Sequence, residues 1–207
     1  MSLRRPLLLS TALALALAAP LSQAAKDDRA KPLNLVFDRE GAIDKVKQRS
    51  EFNGNVIMTK GSMELRADRM DVQETSDGYY QAYANGTSAK QVHFRQDRDS
   101  PGERIEGRAD QIEYDTRTET IRLVGNAEAR VMQGDQLKQA LSGATLNYDN
   151  RTERLIVETG AGSPHPSGRG RVVLMPRNTA SEPPPASSAP LPLRPSINLT
   201  PRQSPQQ

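Results

Sequence analysis

From about residue 50 onward, apolar and polar side chains alternate with a period of two in short runs: Val56/Met58, Met63/Leu65, Met70/Val72, Ile112/Tyr114, Ile121/Leu123, Ala127/Ala129/Val131, Leu146/Tyr148 and Leu155/Val157. The positions between them are polar or charged, as at Thr120, Arg122, Asn126, Glu128 and Arg130. Such alternation gives a strand one dry face and one wet face, so the chain reads as half-buried antiparallel strands. No window sustains a helical apolar period. Asp77-Gly78, Asn85-Gly86, Gly125-Asn126 and Asp149-Asn150 supply turn residues at hairpin spacing. The predicted class is all-β.

The runs repeat. Arg66-Ala67-Asp68-Arg69-Met70-Asp71-Val72 aligns with Arg108-Ala109-Asp110-Gln111-Ile112-Glu113-Tyr114 and with Ser142-Gly143-Ala144-Thr145-Leu146-Asn147-Tyr148. The second and third units continue alike, Tyr114-Asp115-Thr116-Arg117-Thr118-Glu119 matching Tyr148-Asp149-Asn150-Arg151-Thr152-Glu153 at a separation of 34 residues. A repeat of that length holds at least two strands, and each hairpin can bury its apolar face only against its neighbours. Within the repeat the apolar parity slips by one, from Met63/Leu65/Ala67 to Met70/Val72 and from Ile105/Ala109 to Ile112/Tyr114. A slip would turn every later side chain outward unless a bulge or corner absorbed it. Bends at Ala67-Asp68 and Ala109-Asp110 are therefore expected, folding a long sheet over on itself as a trough or jelly roll.

Composition divides the chain into three parts. Arg4 and Arg5, the Leu/Ala run from Leu7 to Ala19, and Ser22-Gln23-Ala24 read as a cleavable secretory signal peptide over residues 1–24, its apolar run being too short to span a bilayer. The expected product is a soluble exported protein, most naturally periplasmic. Residues 25–176 form the predicted β domain, with only Pro101 between residues 33 and 160, and residues 177–207 a disordered Pro-rich tail. The formal charge of +3 and the pI of about 9.3 belong to the leader and the tail. Residues 25–160 carry 24 acidic and 21 basic side chains, which speaks against a nucleic-acid surface.

Catalytic materials are scarce. The chain has no cysteine, which excludes thiol catalysis, disulfides and thiolate metal sites. Its two histidines, His93 and His165, stand 72 residues apart and read as surface residues rather than ligands. Asp68/Asp71 and Asp110/Glu113 recur with the repeat but face opposite sides of a strand, which suits turn hydrogen bonds and a wet face better than a carboxylate pair. No phosphate loop or nucleophile motif occurs. Neither an enzyme nor a cofactor or metal is expected. What remains is a one-sided apolar surface built from Val56, Met58, Met63, Leu65, Met70, Val72, Phe94, Ile112, Tyr114, Ile121, Leu123, Leu146 and Tyr148. Its thioethers suit acyl chains of varied shape and suit a loose core equally well. A transmembrane barrel would show the same alternation, but eight aromatics are too few for two girdles.

Phe52-Asn53-Gly54-Asn55-Val56-Ile57-Met58-Thr59-Lys60-Gly61, then Leu65-Arg66-Ala67-Asp68-Arg69-Met70, then Val124-Gly125-Asn126-Ala127-Glu128-Ala129 resemble the OstA-like family of periplasmic lipopolysaccharide-transport proteins over about residues 32–176. The resemblance implies an open-ended, twisted antiparallel β jelly roll of repeated hairpins whose apolar interior shelters lipid A acyl chains and carries lipopolysaccharide from the inner to the outer membrane. It also implies head-to-tail self-association between an inner-membrane anchored LptC-like protein and an outer-membrane LptD-like barrel protein. It places Leu33, Leu35 and Phe94 inside with the other apolar residues. The joints are assigned to Leu33-Asn34-Leu35-Val36-Phe37 and Val172-Val173-Leu174, bracketed by Pro32 and Pro176. Lys45, Lys47 and Arg49 and the Pro-rich tail depart from the family pattern. The competing reading is a non-lipid structural or adaptor module of an envelope complex.

Overall fold

Antiparallel strands, most of them built by the period-two pattern, make up the greater part of the folded chain. A computed structural model describes Asp28 and residues 30–176; the leader assigned to residues 1–24 and the tail assigned to 177–207 lie outside the described residues. The strands are β1 (Asn34–Val36), β2 (Glu40–Asp44), β3 (Arg49–Lys60), β4 (Met63–Glu74), β5 (Tyr80–Asn85), β6 (Val92–Asp97), β7 (Glu103–Ala109), β8 (Gln111–Asp115), β9 (Thr120–Gln133), β10 (Gln136–Asp149), β11 (Arg154–Glu158) and β12 (Arg171–Leu174). Every pairing is antiparallel.

The long strands change partners halfway along. β3 pairs with β2 through residues 49–53 and with β1 through residues 57–59. β4 pairs with β6 through residues 64–66 and with β5 through residues 69–74. β9 passes from β8 to β7, and β10 from β12 to β11. The sheet is thereby folded into two leaves that share β3, β4, β9 and β10. The first leaf runs β1-β3-β4-β6-β7-β9-β10-β12 and the second β2-β3-β4-β5-β8-β9-β10-β11. This is the open β jelly roll of the sequence reading. β1 and β2 form one end and β11 and β12 the other, each pairing on one side only.

The corner between the leaves explains the parity slip. Gly54 and Asn55 of β3 stand opposite the single residue Asp68 of β4, and Gly125 and Asn126 of β9 stand opposite Ala144 of β10. Both pairs hold left-handed backbone, with φ of 84° and 44° in the first and 75° and 48° in the second. Glycine adopts that region freely and asparagine tolerates it, which is why Gly-Asn recurs here. The extra residue lies on β3 and β9, whose apolar parity is unbroken, and the slip appears on the strands beside them. At Ala109-Asp110 the chain bends outright, Asp110 separating β7 from β8. At Ala67-Asp68 strand β4 stays continuous and changes partner instead. A third slip, between Thr145 and Leu146, falls at the matching repeat position.

The end of the second leaf away from the corner is closed by a repeated turn. The carboxylates of Asp44, Asp115 and Asp149 each accept two backbone N–H bonds, from residues two and three further on. Four residues after each aspartate comes a left-handed residue, Gln48, Glu119 or Glu153, at φ of 52°, 54° and 53°. Burial raises the pKa of Asp115 and Asp149, and the N–H donors more than reverse it, leaving both below the ordinary carboxylate range.

Candidate functional site

The inward side chains of both leaves converge on one apolar interior. Val56, Met58, Met63, Leu65, Met70, Val72, Phe94, Ile112, Tyr114, Ile121, Leu123, Leu146 and Tyr148 are all at most 6% exposed and belong to a single cluster. Phe94 and Tyr148 reach across it with ring centroids 6.4 Å apart. Burying each large aliphatic contributes about 1.5–3 kcal/mol to stability, so these residues are the core of the fold whatever else they hold. Leu33 and Leu35 differ: they are only half-buried, at the β1 end, as Leu155 and Val157 are at the β11 end. The apolar interior therefore extends to both free ends of the sheet.

Val92, Ala82 and Ala84 are buried in the cluster although the sequence reading did not place them on the apolar face. Ile105, Ala109 and Ala127, read there from the alternation but left out of the candidate surface, are buried with it as well. The two alanines of β5 stand in a short strand whose small side chains give a weak alternation signal. Exposed apolar residues gather at the ends: Val36 and Ile43 on β1 and β2, Ile156 on β11, Val172 and Leu174 on β12, with Met175 just beyond.

The outer surface is wet and heavily ion-paired. Asp71 accepts Arg49 and Arg69; burial raises its pKa, and the two guanidinium groups bring it below the ordinary range. Arg108 reaches Glu128 at 2.7 Å, and Asp68 pairs with Lys90. The Asp110 carboxylate serves the corner, accepting from the Asn126 amide at 2.8 Å. A depression of about 350 Å³ outside the first leaf is walled by these charged rows, including Arg66, His93 and Glu106. His93 and His165 are both exposed. Among the described residues no group of three or more His, Asp or Glu side chains is arranged to hold a metal.

Opposite the corner, two ion pairs join the ends of the leaves. Lys60, the last inward residue of β3, places Nζ 2.7 Å from Glu119 Oε1 and 3.1 Å from the Tyr114 hydroxyl, which donates to Glu119 Oε2 at 2.9 Å. Lys60 and Glu119 are both buried. Burial and the neighbouring Glu119 carboxylate drive the Tyr114 pKa far above the ordinary phenol value. In the second pair Arg98, in the β6–β7 turn, reaches Glu153 at 2.8 Å and Glu103 at 3.1 Å. Burial pushes the Tyr148 hydroxyl up to about 12; Arg98 lies close enough to oppose that rise, but not in hydrogen-bonding geometry.

A twisted, open-ended antiparallel jelly roll with a continuous apolar interior and a charged exterior is the class of protein defined by this architecture. Residues 39–154 match the family described as LptA/(LptD N-terminal domain) LPS transport protein, and the chain belongs to that family. The lipopolysaccharide export system protein LptA of Haemophilus influenzae is 28% identical over 139 residues, covering 67% of this chain and 77% of that protein. Its counterpart in Escherichia coli K12 is 30% identical over 129 residues, 58% of this chain and 61% of the relative. Among solved structures, LptH of Pseudomonas aeruginosa, described as the LptA-homologous periplasmic component of a lipopolysaccharide transport device, superimposes with a TM-score of 0.62 at 19% identity. It covers 72% of this chain and 99% of its own, and at that identity it speaks for the fold.

Proposed function

We propose that this protein is a periplasmic lipopolysaccharide-binding bridge that shelters lipid A acyl chains in its interior and passes lipopolysaccharide from the inner to the outer membrane. The observation that carries the reading is an apolar interior that reaches both open ends of the sheet beneath a wet, ion-paired exterior. An acyl chain in water costs about 0.8 kcal/mol for each exposed methylene, so a route across an aqueous space must be continuously apolar within and polar without. Alternating strands supply both surfaces at once. The free edges β1 and β12 lie at opposite ends of the same leaf. Strand addition there would join copies head to tail, and would join the terminal copies to an LptC-like protein at the inner membrane and an LptD-like barrel at the outer membrane. Such a role needs no catalytic group. The LptA names of the relatives and the periplasmic description of the structural neighbour support it.

A photo-crosslinking residue at Leu35 or Phe94 is expected to capture lipopolysaccharide in cells. Capture from the outward position Arg122 in place of these sites would overturn the reading. One observation favours the non-lipid adaptor as the alternative, namely that the interior is filled by the protein's own side chains. A lipid-extraction mass spectrum of the purified protein separates the two.

A further inference from the structure

The Lys60–Glu119 and Arg98–Glu153 pairs do the same job at two successive places. Each cation stands at a hairpin end of the first leaf, at the last residue of β3 or just beyond β6, and each carboxylate at a hairpin end of the second leaf, before β9 or β11. The two glutamates occupy the same repeat position and the same left-handed turn backbone, φ 54° and 53°. Their turns differ in this respect from the β2–β3 turn, where the equivalent residue is the neutral Gln48. At the corner the leaves are continuous backbone and cannot separate; along this seam no strand ladder among the described residues joins them. The seam is also imperfectly compensated. Four buried side-chain atoms have no hydrogen-bond partner within the protein: Gln96 Oε1, Arg98 Nε and Tyr148 OH at or beside the second clasp, and Asn150 Oδ1 on the residue whose backbone N–H donates to the Glu119 carbonyl of the first. Orphaned buried groups regain partners when exposed to water, so parting the seam offsets part of its own cost.

We propose that these two ion pairs are the clasps of a lateral gate: the interior receives an apolar chain when the seam between the leaves parts, and the clasps set the rate of parting. The proposal rests on the lipid-sheltering reading above and adds the path and its latch. Its physical basis is the filled interior, where the inward side chains leave no exposed lining for a chain to settle on while the leaves are closed. The rival path is threading from the sheet ends, past half-buried Leu35 or Val157.

The test uses the full mature chain and stopped-flow uptake of two probes, purified lipopolysaccharide and an uncharged fluorescent alkyl amphiphile. Lys60→Met/Glu119→Gln removes one clasp without leaving an unpaired buried charge. Both probes are expected to enter it about tenfold faster, the kinetic equivalent of losing one charge-assisted hydrogen bond across the seam. The protein has no native cysteine, so Arg98→Cys/Glu153→Cys can be joined by a short bismaleimide, the link being verified by mass spectrometry. The linked form is expected to lose uptake that the unlinked form retains. Uptake by the linked form at the unlinked rate would overturn the gate and favour threading from the ends, with the lipid-binding reading intact. Failure of the wild-type protein to take up either probe would overturn that reading and the gate with it.

Discussion

Replacing Lys60 by methionine isolates the energetics of the seam. The side chain is 7% exposed, and its ammonium is 2.7 Å from Glu119 Oε1. Without the ammonium, Glu119 stays buried with the Tyr114 hydroxyl, 2.9 Å away, as its hydrogen-bonding side chain. Breaking a buried pair from one side costs about 3–5 kcal/mol because the surviving charge is uncompensated. That is a large share of the roughly 5–15 kcal/mol that holds an ordinary domain together. At about 2–4 °C per kcal/mol for a chain of this size, the melting midpoint falls by about 6–20 °C. The double variant Lys60→Met/Glu119→Gln has no buried charge to strand, since glutamine still accepts from Tyr114, and its stability should return to within about 1 kcal/mol of wild type. Urea and thermal unfolding followed by circular dichroism measure all three proteins at pH 7. If the single and double variants unfold together, the charges do not interact and the reasoning about the seam is wrong.

Three further outcomes follow from the packing. Met70→Ala, at a fully buried position, should cost about 2–5 kcal/mol in urea unfolding, whereas Arg122→Ala on the wet face should stay within about 0.5 kcal/mol; equal effects would deny that the parity separates core from surface. Gly125→Ala meets two obstacles, a φ of +75° and an added Cβ 2.8 Å from Asp110 Oδ2, while Gly78→Ala has a similar φ of +80° and nothing within 4 Å. The first should lower the midpoint clearly more than the second, and equal losses would show that the corner has room. The Tyr148 hydroxyl is pushed up from 10.0 to about 12 by burial, so its contribution is complete below pH 10 and lost as pH rises through about 12. Thermal midpoints between pH 9 and 12 should accordingly fall more steeply for wild type than for Tyr148→Phe, by about 2–3 kcal/mol at the alkaline end, and parallel curves would remove the effect.

Strand identity, the inward and outward faces and the repeat are local properties, and the sequence determined them by itself. Side chains two apart share a face, so Met58 or Leu123 declares its side without reference to any partner. The slip of parity was readable for the same reason, as was the need for a corner. Which strand carries the extra residue was not: Gly54-Asn55 and Gly125-Asn126 lie on β3 and β9, while the sequence shows the slip on their neighbours. Only the paired register reveals that two residues on one strand face one on the next. The membership of the apolar interior was largely legible, apart from Ala82, Ala84 and Val92 on the short strands β5 and β6, whose burial depends on what packs over them. The seam was legible only in part. Lys60 and Glu119 are 59 residues apart, and a charge within an alternating pattern reads as solvated until the fold buries it. The repeat marked Glu119 and Glu153 as equivalent, but neither spacing nor propensity could supply Lys60 and Arg98 as their partners. Folding one sheet into two leaves brought those ends together, and long-range pairing of that kind exists only in three dimensions.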